Sequence, residues 1–467
     1  MKTRTILKSA AAVMAVVATM TFAGCSSSGG SSSATGVPSA GALDSAKGVT
    51  TVTFWHSMTG TNGTVLQSLI DKFNQQNQGK IEVVGTFQGA YDPAMQKYQA
   101  AMQSKTTPTM VQVYDIGSRF MMDSGAAIPI QGFIDRDKYD VSDIQPTIAG
   151  YYTVDGKMWS MPFNSSMPVL YYNKTLFEKA GVPLPPTEAP YSLADVKAAA
   201  EKLSKVNGGP ADTGFLAAIY GWFIEQEMAV SGDVYCTPDN GRGSAAASAF
   251  NFNSGSSVQF LQWWADLVKS GVAGNTGPTT ADAQNAFKTG TVGMLLESTG
   301  VLGSFQQAAK SNGFEVGVAF YPSLTPTPGN GPVIGGASLW ISSGNHSDAE
   351  KEAAWQFIKF LSAPEQQAAW HIGTGYFPIS KGALNQPDDV AYRQANPAFN
   401  VAVAQLDQTK VSTATQGCSS GVMVQARKAA ETAITAAFQG GDPKTELTKS
   451  VDGLADQIKA YNQSVGR

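Results

Sequence analysis

The sequence contains few of the groups that bind metals or assist redox chemistry. Its 467 residues include only three His and three Cys, and no close cluster of them has the spacing of a zinc site. The paired Gly335 and Gly336 stand outside any strand-GxGxxG-helix pattern, so a dinucleotide site is not indicated either. We therefore expect no metal and no cofactor.

Charged residues are also scarce, and their balance is acidic. They make up 15% of the chain against 43% hydrophobic residues, which is enough apolar material for a large core and two domains of ordinary size. Without the three basic residues of the first 25 positions, 29 basic residues face 36 acidic ones, a net charge of −7. A net negative charge argues against nucleic acid as a partner.

Long apolar runs are absent except near the N-terminus. There, basic residues, a short apolar run and the tripeptide Ala-Gly-Cys ending at Cys25 are typical of a bacterial lipoprotein signal, in which that Cys is lipidated. Phe22 stands where Leu is usual, and an ordinary cleavage site is the alternative. Residues 26–48, rich in Ser and Gly, predict a flexible tether. We expect a protein held at the outer face of the cytoplasmic membrane through Cys25.

Two cysteines remain in the predicted mature chain. Outside the cytoplasm the conditions are oxidising, so Cys236 and Cys418 are expected to form one disulfide rather than two free thiols.

The first part of the mature chain alternates strand and helix patterns. Strands are predicted at residues 49–54, 81–87 and 110–114, and helices at residues 61–77 and 91–104. This order indicates a parallel sheet with helices on both faces. Ligand groups should then lie at the carboxyl ends of the strands, where Tyr91 and Asp115 stand.

The segment 162–174, PFNSSMPVLYYNK, is predicted to cross between two lobes and to line the cleft between them. Its two prolines exclude a helix, and a strand-forming run follows the polar residues. A second crossing is expected at residues 335–338. Paired crossings indicate a hinge and lobes that are discontinuous in sequence. The expected N-terminal lobe comprises residues 49–163 and 291–336, and the C-terminal lobe residues 164–290 and 337–467.

Five stretches of the chain are informative together: FWHSMTG, QVYDIG, PFNSSMPVLYYNK, GGASLW and TGYFPISK. They resemble one known family, the extracytoplasmic solute-binding proteins of ABC importers, in their carbohydrate group. Within it, the resemblance is strongest to the glycerol-3-phosphate and glycerophosphodiester binders. It implies an α/β fold of the type II periplasmic-binding-protein kind, with two lobes of mostly parallel sheet flanked by helices. It also implies a monomer that delivers a small polyhydroxylated solute to a membrane permease.

The resemblance also implies a set of ligand-binding residues. Tyr91 and Asp115 correspond to a Tyr and an acidic residue around glycerol hydroxyls, and a carboxylate accepts hydroxyl hydrogens well. The remaining residues of the implied site are Ser165, Ser166, Trp222, Ser298, Gly336 and Tyr376.

The chain departs from the family pattern at the residue that binds phosphate. The family's phosphate-binding Arg belongs about eight residues before Arg427, in the stretch TQGCSSGVM, which contains no Arg. Arg427 resembles a different family Arg, in the next helix. A phosphorylated ligand would then depend on Arg242, Lys410 or Lys381. A neutral sugar, polyol or oligosaccharide is the alternative ligand.

Other functions and roles remain open at this point. Asp115 could instead cap the helix that follows it, and His56 could line the cleft or pack in the core. An exported carbohydrate-active enzyme is the main competing class, since residues 417–421, GCSSG, match a nucleophile elbow. That fold needs a His after the nucleophile, and the last His is His371, so no enzymatic activity is expected.

Overall fold

A computed structural model of the protein describes residues 36–324 and 329–467. The predicted export signal and Cys25 lie outside the described residues. The strands are β1 (Thr50–His56), β2 (Ile81–Phe87), β3 (Met110–Tyr114), β4 (Ala127–Ile128), β5 (Thr153–Val154), β6 (Lys157–Met158), β7 (Met161–Ser166), β8 (Pro168–Asn173), β9 (Pro190–Ser192), β10 (Thr213–Leu216), β11 (Cys236–Thr237), β12 (Ala249–Phe250), β13 (Val292–Ser298), β14 (Val316–Ser323) and β15 (Gly335–Ser342).

The helices alternate with the strands up to β15, and only helices and loops follow β15 in the described chain. They are α1 (Gly60–Gln76), α2 (Tyr91–Ser104), α3 (Ser118–Ser124), α4 (Ile130–Asp137), α5 (Pro146–Tyr152), α6 (Lys174–Lys179), α7 (Leu193–Leu203), α8 (Trp222–Ser231), α9 (Gly255–Lys269), α10 (Thr280–Lys288), α11 (Leu302–Asn312), α12 (Asp348–Ser362), α13 (Pro364–Thr374), α14 (Pro387–Ala395), α15 (Ala398–Gln408), α16 (Met423–Phe438), α17 (Pro443–Asp452) and α18 (Ala455–Ser464).

The first lobe is built on a sheet with the order β2-β1-β3-β15-β4, and β7 also pairs with β15. Strands β1, β2 and β3 are parallel, as their alternation with helices predicts, whereas β15 runs antiparallel to β3. Every residue of β3 is buried, which fits a central strand covered on both faces. Asp115 directly follows the carboxyl end of this strand.

The second lobe is built on a sheet with the order β10-β13-β8-β14-β9. Its central strand β8 has the sequence PVLYYN, is buried throughout and pairs antiparallel with both β13 and β14. Helices α9 and α16 pack together on this lobe. Strand β8 directly follows the first-lobe strand β7 with one residue, Met167, between them.

The expected lobe boundaries at residues 291–336 and 337–467 are wrong. Strands β13 and β14 lie in the second lobe, because both pair with β8. Strand β15 instead returns the chain to the first lobe, where it pairs with β3 and β7. Helices α12 and α13 follow it there and pack on β1 and α1. The first lobe therefore takes the segment from β15 to α13, and the second lobe takes β13, β14 and the helices from α15 onwards.

Residues 36–48 are ordered on the first lobe, so the predicted tether of residues 26–48 is wrong in this part. Arg136 Nη1 donates a hydrogen bond of 2.8 Å to the carbonyl oxygen of Pro38. Val37 and Leu43 pack against the core of the first lobe, and Ala42 is buried. Apolar side chains with a surface to bury hold this segment in place. No helix in the described parts of the chain is long and apolar enough to cross a membrane.

Candidate functional site

The two lobes meet at a buried ion pair. Asp115 follows the last residue of β3 in the first lobe, and Arg427 projects from α16 of the second lobe. Arg427 Nη2 lies 2.5 Å from Asp115 Oδ2, and its Nε lies 2.7 Å from Glu225 Oε2 on α8. All three side chains are buried. One guanidinium thus joins a carboxylate from each lobe.

The charges of this cluster depend on one another. Burial acts to lower the pKa of Arg427, but the carboxylates of Asp115 and Glu225 outweigh it and raise that pKa well above its usual value. Burial raises the pKa of Glu225, with Arg427 opposing the rise. Arg427 therefore stays charged.

A second polar network lies beside the ion pair and is centred on Asn164 of β7. Its Nδ2 donates to the hydroxyl of Tyr91 over 2.9 Å, and its Oδ1 accepts from Gln112 Nε2 over 2.7 Å. Gln112 Oε1 in turn accepts from the backbone N–H of Ser57 over 2.8 Å. Burial raises the pKa of Tyr91 well above its usual value, so this hydroxyl is neutral. The network fixes the hydroxyl of Tyr91 near the end of β3.

The crossover brings the backbone and hydroxyl groups of Ser165 and Ser166 to this region. Both residues are buried in β7, where they pair with Gly336 and Gly335 of β15. The hydroxyl of Ser165 has no hydrogen-bond partner among the described residues. Trp222 lies against Gly335, since a Cβ there would be 2.7 Å from its ring, and its indole N–H also finds no partner in residues 36–324 and 329–467. Such orphaned buried groups are candidates to bind a ligand or water.

Gly336 has a conformation that only glycine adopts readily. Its φ is +92°, and an added Cβ would stand 1.8 Å from the carbonyl oxygen of Asn164. This close approach lets β15 and β7 cross beside the site.

Tyr376 and Ser298 both lie beside Gly300, just after the end of β13. The ring of Tyr376 covers Gly300, where an added Cβ would be 2.5 Å from it, and the hydroxyl of Ser298 accepts from the N–H of Gly300 over 3.1 Å. Tyr376 packs with the core of the first lobe and affects the pKa of Tyr91, so it lies on the same side as Tyr91. The sequence-based lobe boundaries put it on the opposite side, which is wrong because α13 packs on α1.

A narrow pocket rich in positive charge adjoins Asp115. We call it the basic pocket, lined among others by Asp115, Ser118, Arg119, Arg242, Ser419 and Ser420. Arg242 donates to the carbonyl oxygens of Gly417 over 2.8 Å and of Tyr151 over 3.0 Å. Burial lowers its pKa. Lys410 and Lys381, the other cations considered from the sequence, are exposed and are not among the residues that line this pocket.

A disulfide between Cys236 and Cys418 holds two walls of the basic pocket together. The Cα atoms of the two residues are 5.7 Å apart, across 182 positions of sequence. It ties the loop that carries Arg242 to the stretch that carries Ser419 and Ser420.

Several site groups were missed by sequence reasoning. Arg427 resembles a different family Arg in the sequence but is not in the predicted set, and neither are Gln112, Asn164 and Glu225. Asn164 lies inside the crossover motif, which was a usable signal, whereas nothing local indicates that Glu225 meets Arg427. His56 packs between Phe54 and Phe87, and burial lowers its pKa to about 4, which favours a packing role. Among residues 36–324 and 329–467, no cluster of His, Cys, Asp and Glu has the arrangement of a metal site.

Two α/β lobes, joined by crossing strands and meeting at a polar cleft, define a type II binding protein of the periplasmic kind. The sequence identifies the family as well. Residues 68–401 match the family described as bacterial extracellular solute-binding protein, and the chain belongs to that family.

Similar proteins cover nearly the whole chain. The sn-glycerol-3-phosphate-binding periplasmic protein UgpB of Yersinia pseudotuberculosis is 33% identical over 90% of this chain and 94% of its own length. The protein of the same name from Escherichia coli O1:K1 is 31% identical over 90% of this chain and 95% of its own.

Solved structures share the fold. UgpB from Mycobacterium tuberculosis in complex with glycerophosphocholine superposes with a TM-score of 0.73 at 22% identity, covering 88% of this chain and 98% of that one. The GacH receptor of Streptomyces glaucescens, solved unliganded and with acarbose, has a TM-score of 0.73 at 20% identity, covering 89% of this chain and 100% of its own. At these identities the likeness concerns the fold alone.

Proposed function

We propose that this protein is the lipid-anchored substrate-binding protein of an ABC importer and captures sn-glycerol-3-phosphate or a glycerophosphodiester. The relatives named for sn-glycerol-3-phosphate support the ligand class. The observation that carries the proposal is the placement of Asp115, a buried carboxylate at the end of β3, beside the hydroxyl network of Tyr91 and Asn164. Buried groups of this kind recognise polyols, because a carboxylate accepts hydroxyl hydrogens in charge-assisted bonds.

Binding would proceed by closure of the lobes. The ligand enters when the lobes separate, and its hydroxyl groups then replace part of the contact between Arg427 and Asp115. Arg427 keeps Glu225 as a partner throughout, so no carboxylate of the second lobe is left alone. Contacts from both lobes stabilise the closed form, which a membrane permease recognises. The solute leaves unchanged, as a binding role without chemistry requires.

A calorimetric titration panel tests the ligand class. The probes are sn-glycerol-3-phosphate, glycerophosphocholine, mannitol and maltose, each added to the full mature protein. We expect binding of the phosphorylated compounds and not of the two neutral ones, with no product formed on incubation. Binding of maltose or mannitol alone would replace this proposal with a neutral sugar or polyol as the ligand.

A variant then tests the role of Asp115. Asp115→Asn keeps the size of the side chain but removes its charge, and we expect it to weaken ligand binding at least tenfold. Asp135→Asn, on the exposed face of α4, is the matched control. X-ray scattering with and without the ligand should show compaction, and equal dimensions in both states would contradict closure.

A further inference from the structure

Arg242 is a cation without an acidic partner. Among the described residues, no Asp or Glu forms an ion pair with its guanidinium, and its two hydrogen bonds go to backbone carbonyl oxygens. The remaining nitrogen, Nη2, makes no hydrogen bond to the described residues. Its guanidinium also lies over the ring of Tyr151 at 4.7 Å. A partly buried guanidinium of this kind has both charge and a donor to offer an anion.

A second guanidinium with an unused donor borders the same pocket. Arg119 pairs with Asp123 through Nε at 2.9 Å, but its Nη2 is buried without a hydrogen-bond partner in the part of the chain that the structure describes. The hydroxyl of Ser118 is likewise buried and has no partner among those residues. Ser118 and Arg119 are each about 5% exposed or less, so these orphaned donors are not simply hydrated surface groups.

The walls of the pocket come from both lobes. Ser118 and Arg119 follow β3 of the first lobe, whereas Arg242, Ser419 and Ser420 belong to the second. The pocket has a volume of about 10 Å³, which is room for one water molecule, so an anion would enter it only with the lobes apart and would then hold the lobes together. It would lie beside Asp115, so a ligand with hydroxyl groups at one end and an anionic group at the other could span both subsites.

The position of Arg242 is built into the chain. The backbone N–H of Ser419 donates to the carbonyl oxygen of Asn240 over 2.8 Å, and Asn240 Nδ2 donates to that of Thr413 over 2.7 Å. Together with the disulfide of Cys236, these bonds fix the Arg242 loop against the stretch where the family pattern has an Arg and this chain has none.

We propose that Arg242 and Arg119, with the hydroxyls of Ser118 and Ser419, form the phosphate subsite of this protein. Arg242 supplies from a different loop the cation that the stretch 414–421 lacks, and the disulfide holds that loop in register. This inference rests on the proposed function, since it assigns the phosphate end of the same ligand. A phosphate dianion would accept donors from both guanidinium groups and compensate the unpaired charge of Arg242.

Binding of sn-glycerol-3-phosphate to the full mature protein, with inorganic phosphate as a competitor, tests the subsite. We expect Arg242→Gln to weaken glycerol-3-phosphate binding at least about 30-fold. Arg242→Lys, which keeps the charge but loses the planar fork, should recover part of this loss. Lys410→Gln and Lys381→Gln, at exposed cations, should stay within about twofold of the wild type. Inorganic phosphate should compete with glycerol-3-phosphate for the wild-type protein but not for Arg242→Gln.

The melting temperature without ligand shows whether Arg242→Gln destabilises the fold in addition to weakening binding. If Arg242→Gln lowers the melting temperature strongly, Arg119→Gln provides the second test, and a loss of at least about tenfold is expected from it. Wild-type binding that neither variant weakens would overturn the subsite and leave the proposed function standing. A wild type that binds no phosphorylated compound would overturn the proposed function itself, and the subsite with it.

Discussion

Arg427 of helix α16 and Asp115 at the end of strand β3 form a buried ion pair across the two lobes, with Nη2 2.5 Å from Oδ2. The same guanidinium holds Glu225 on its other edge. Arg427 therefore stabilises the contact between the two lobes.

Removing the charge of Arg427 should destabilise the protein. Arg427→Met leaves Asp115 and Glu225 buried without a cation, and we expect the free energy of unfolding to fall by about 3–5 kcal/mol. Urea denaturation measures it. Lys197→Met breaks an exposed pair with Glu201 and should change stability by less than about 1 kcal/mol. An equally small effect of Arg427→Met would contradict the account of this cluster.

Glu297 at the end of β13 makes stability depend on pH. Burial raises its pKa from 4.5 to about 7, although the N–H of Ser298 and Gln284 hydrogen-bond to the carboxylate. The folded state thus holds a proton that the unfolded state releases. The resulting stabilisation is fully present below pH 4.5 and is lost as the pH rises through about 7.

Glu297→Gln should therefore be more stable than the wild type at pH 8, by up to about 3 kcal/mol, and by much less at pH 5. Denaturation curves at the two pH values give the difference. Glu315→Gln, at an exposed position, should show no such pH dependence. A constant difference between Glu297→Gln and wild type across this range would assign the effect to another group.

Loss of the disulfide should lower stability as well. The bond between Cys236 and Cys418 spans 182 positions, and closing so long a loop in the unfolded chain corresponds to about 5 kcal/mol in the chain-entropy account. We expect the double variant Cys236→Ser and Cys418→Ser to lose about 2–5 kcal/mol. Adding a reductant should lower the stability of the wild type and leave that of the double variant unchanged. Two titratable thiols in the exported protein would show that the bond does not form.

Gly336 should tolerate no side chain. Gly336→Ala would place a Cβ 1.8 Å from the carbonyl oxygen of Asn164 at a φ of +92°, so β15 and β7 must separate. We expect a loss of at least about 2 kcal/mol in the free energy of unfolding, together with weaker ligand binding. Gly344→Ala, where an added Cβ meets nothing within 4 Å, is the control and should be near neutral.

Much of the first lobe follows from local patterns. The alternation of β1, α1, β2, α2 and β3 predicts a parallel sheet, and the structure confirms both the elements and their pairing. The same reasoning places Asp115 at the carboxyl end of β3, because the end of a parallel strand is defined by the strand itself.

The lobe assignment failed where pairing is non-local. Strands β13, β14 and β15 are all rich in apolar residues and largely buried, so their composition carries no information about which sheet each one joins. The ion pairs of Arg427 were not predicted for the same reason, because its two partners lie 312 and 202 positions away in the sequence. The basic pocket does not follow from the sequence either. Only the folded chain shows that Arg242 lines this pocket and that Lys410 and Lys381 are not among its lining residues.

The ordered segment of residues 36–48 limits how far the protein can stand from a lipid anchor. Ten residues separate Cys25 from Gly36, and even a fully extended chain of that length spans no more than about 40 Å. If Cys25 carries the lipid, the first lobe stays within that distance of the membrane surface. Diffusion would then be restricted to a thin layer, in which each molecule meets its permease at a far higher local concentration than a freely dissolved protein would.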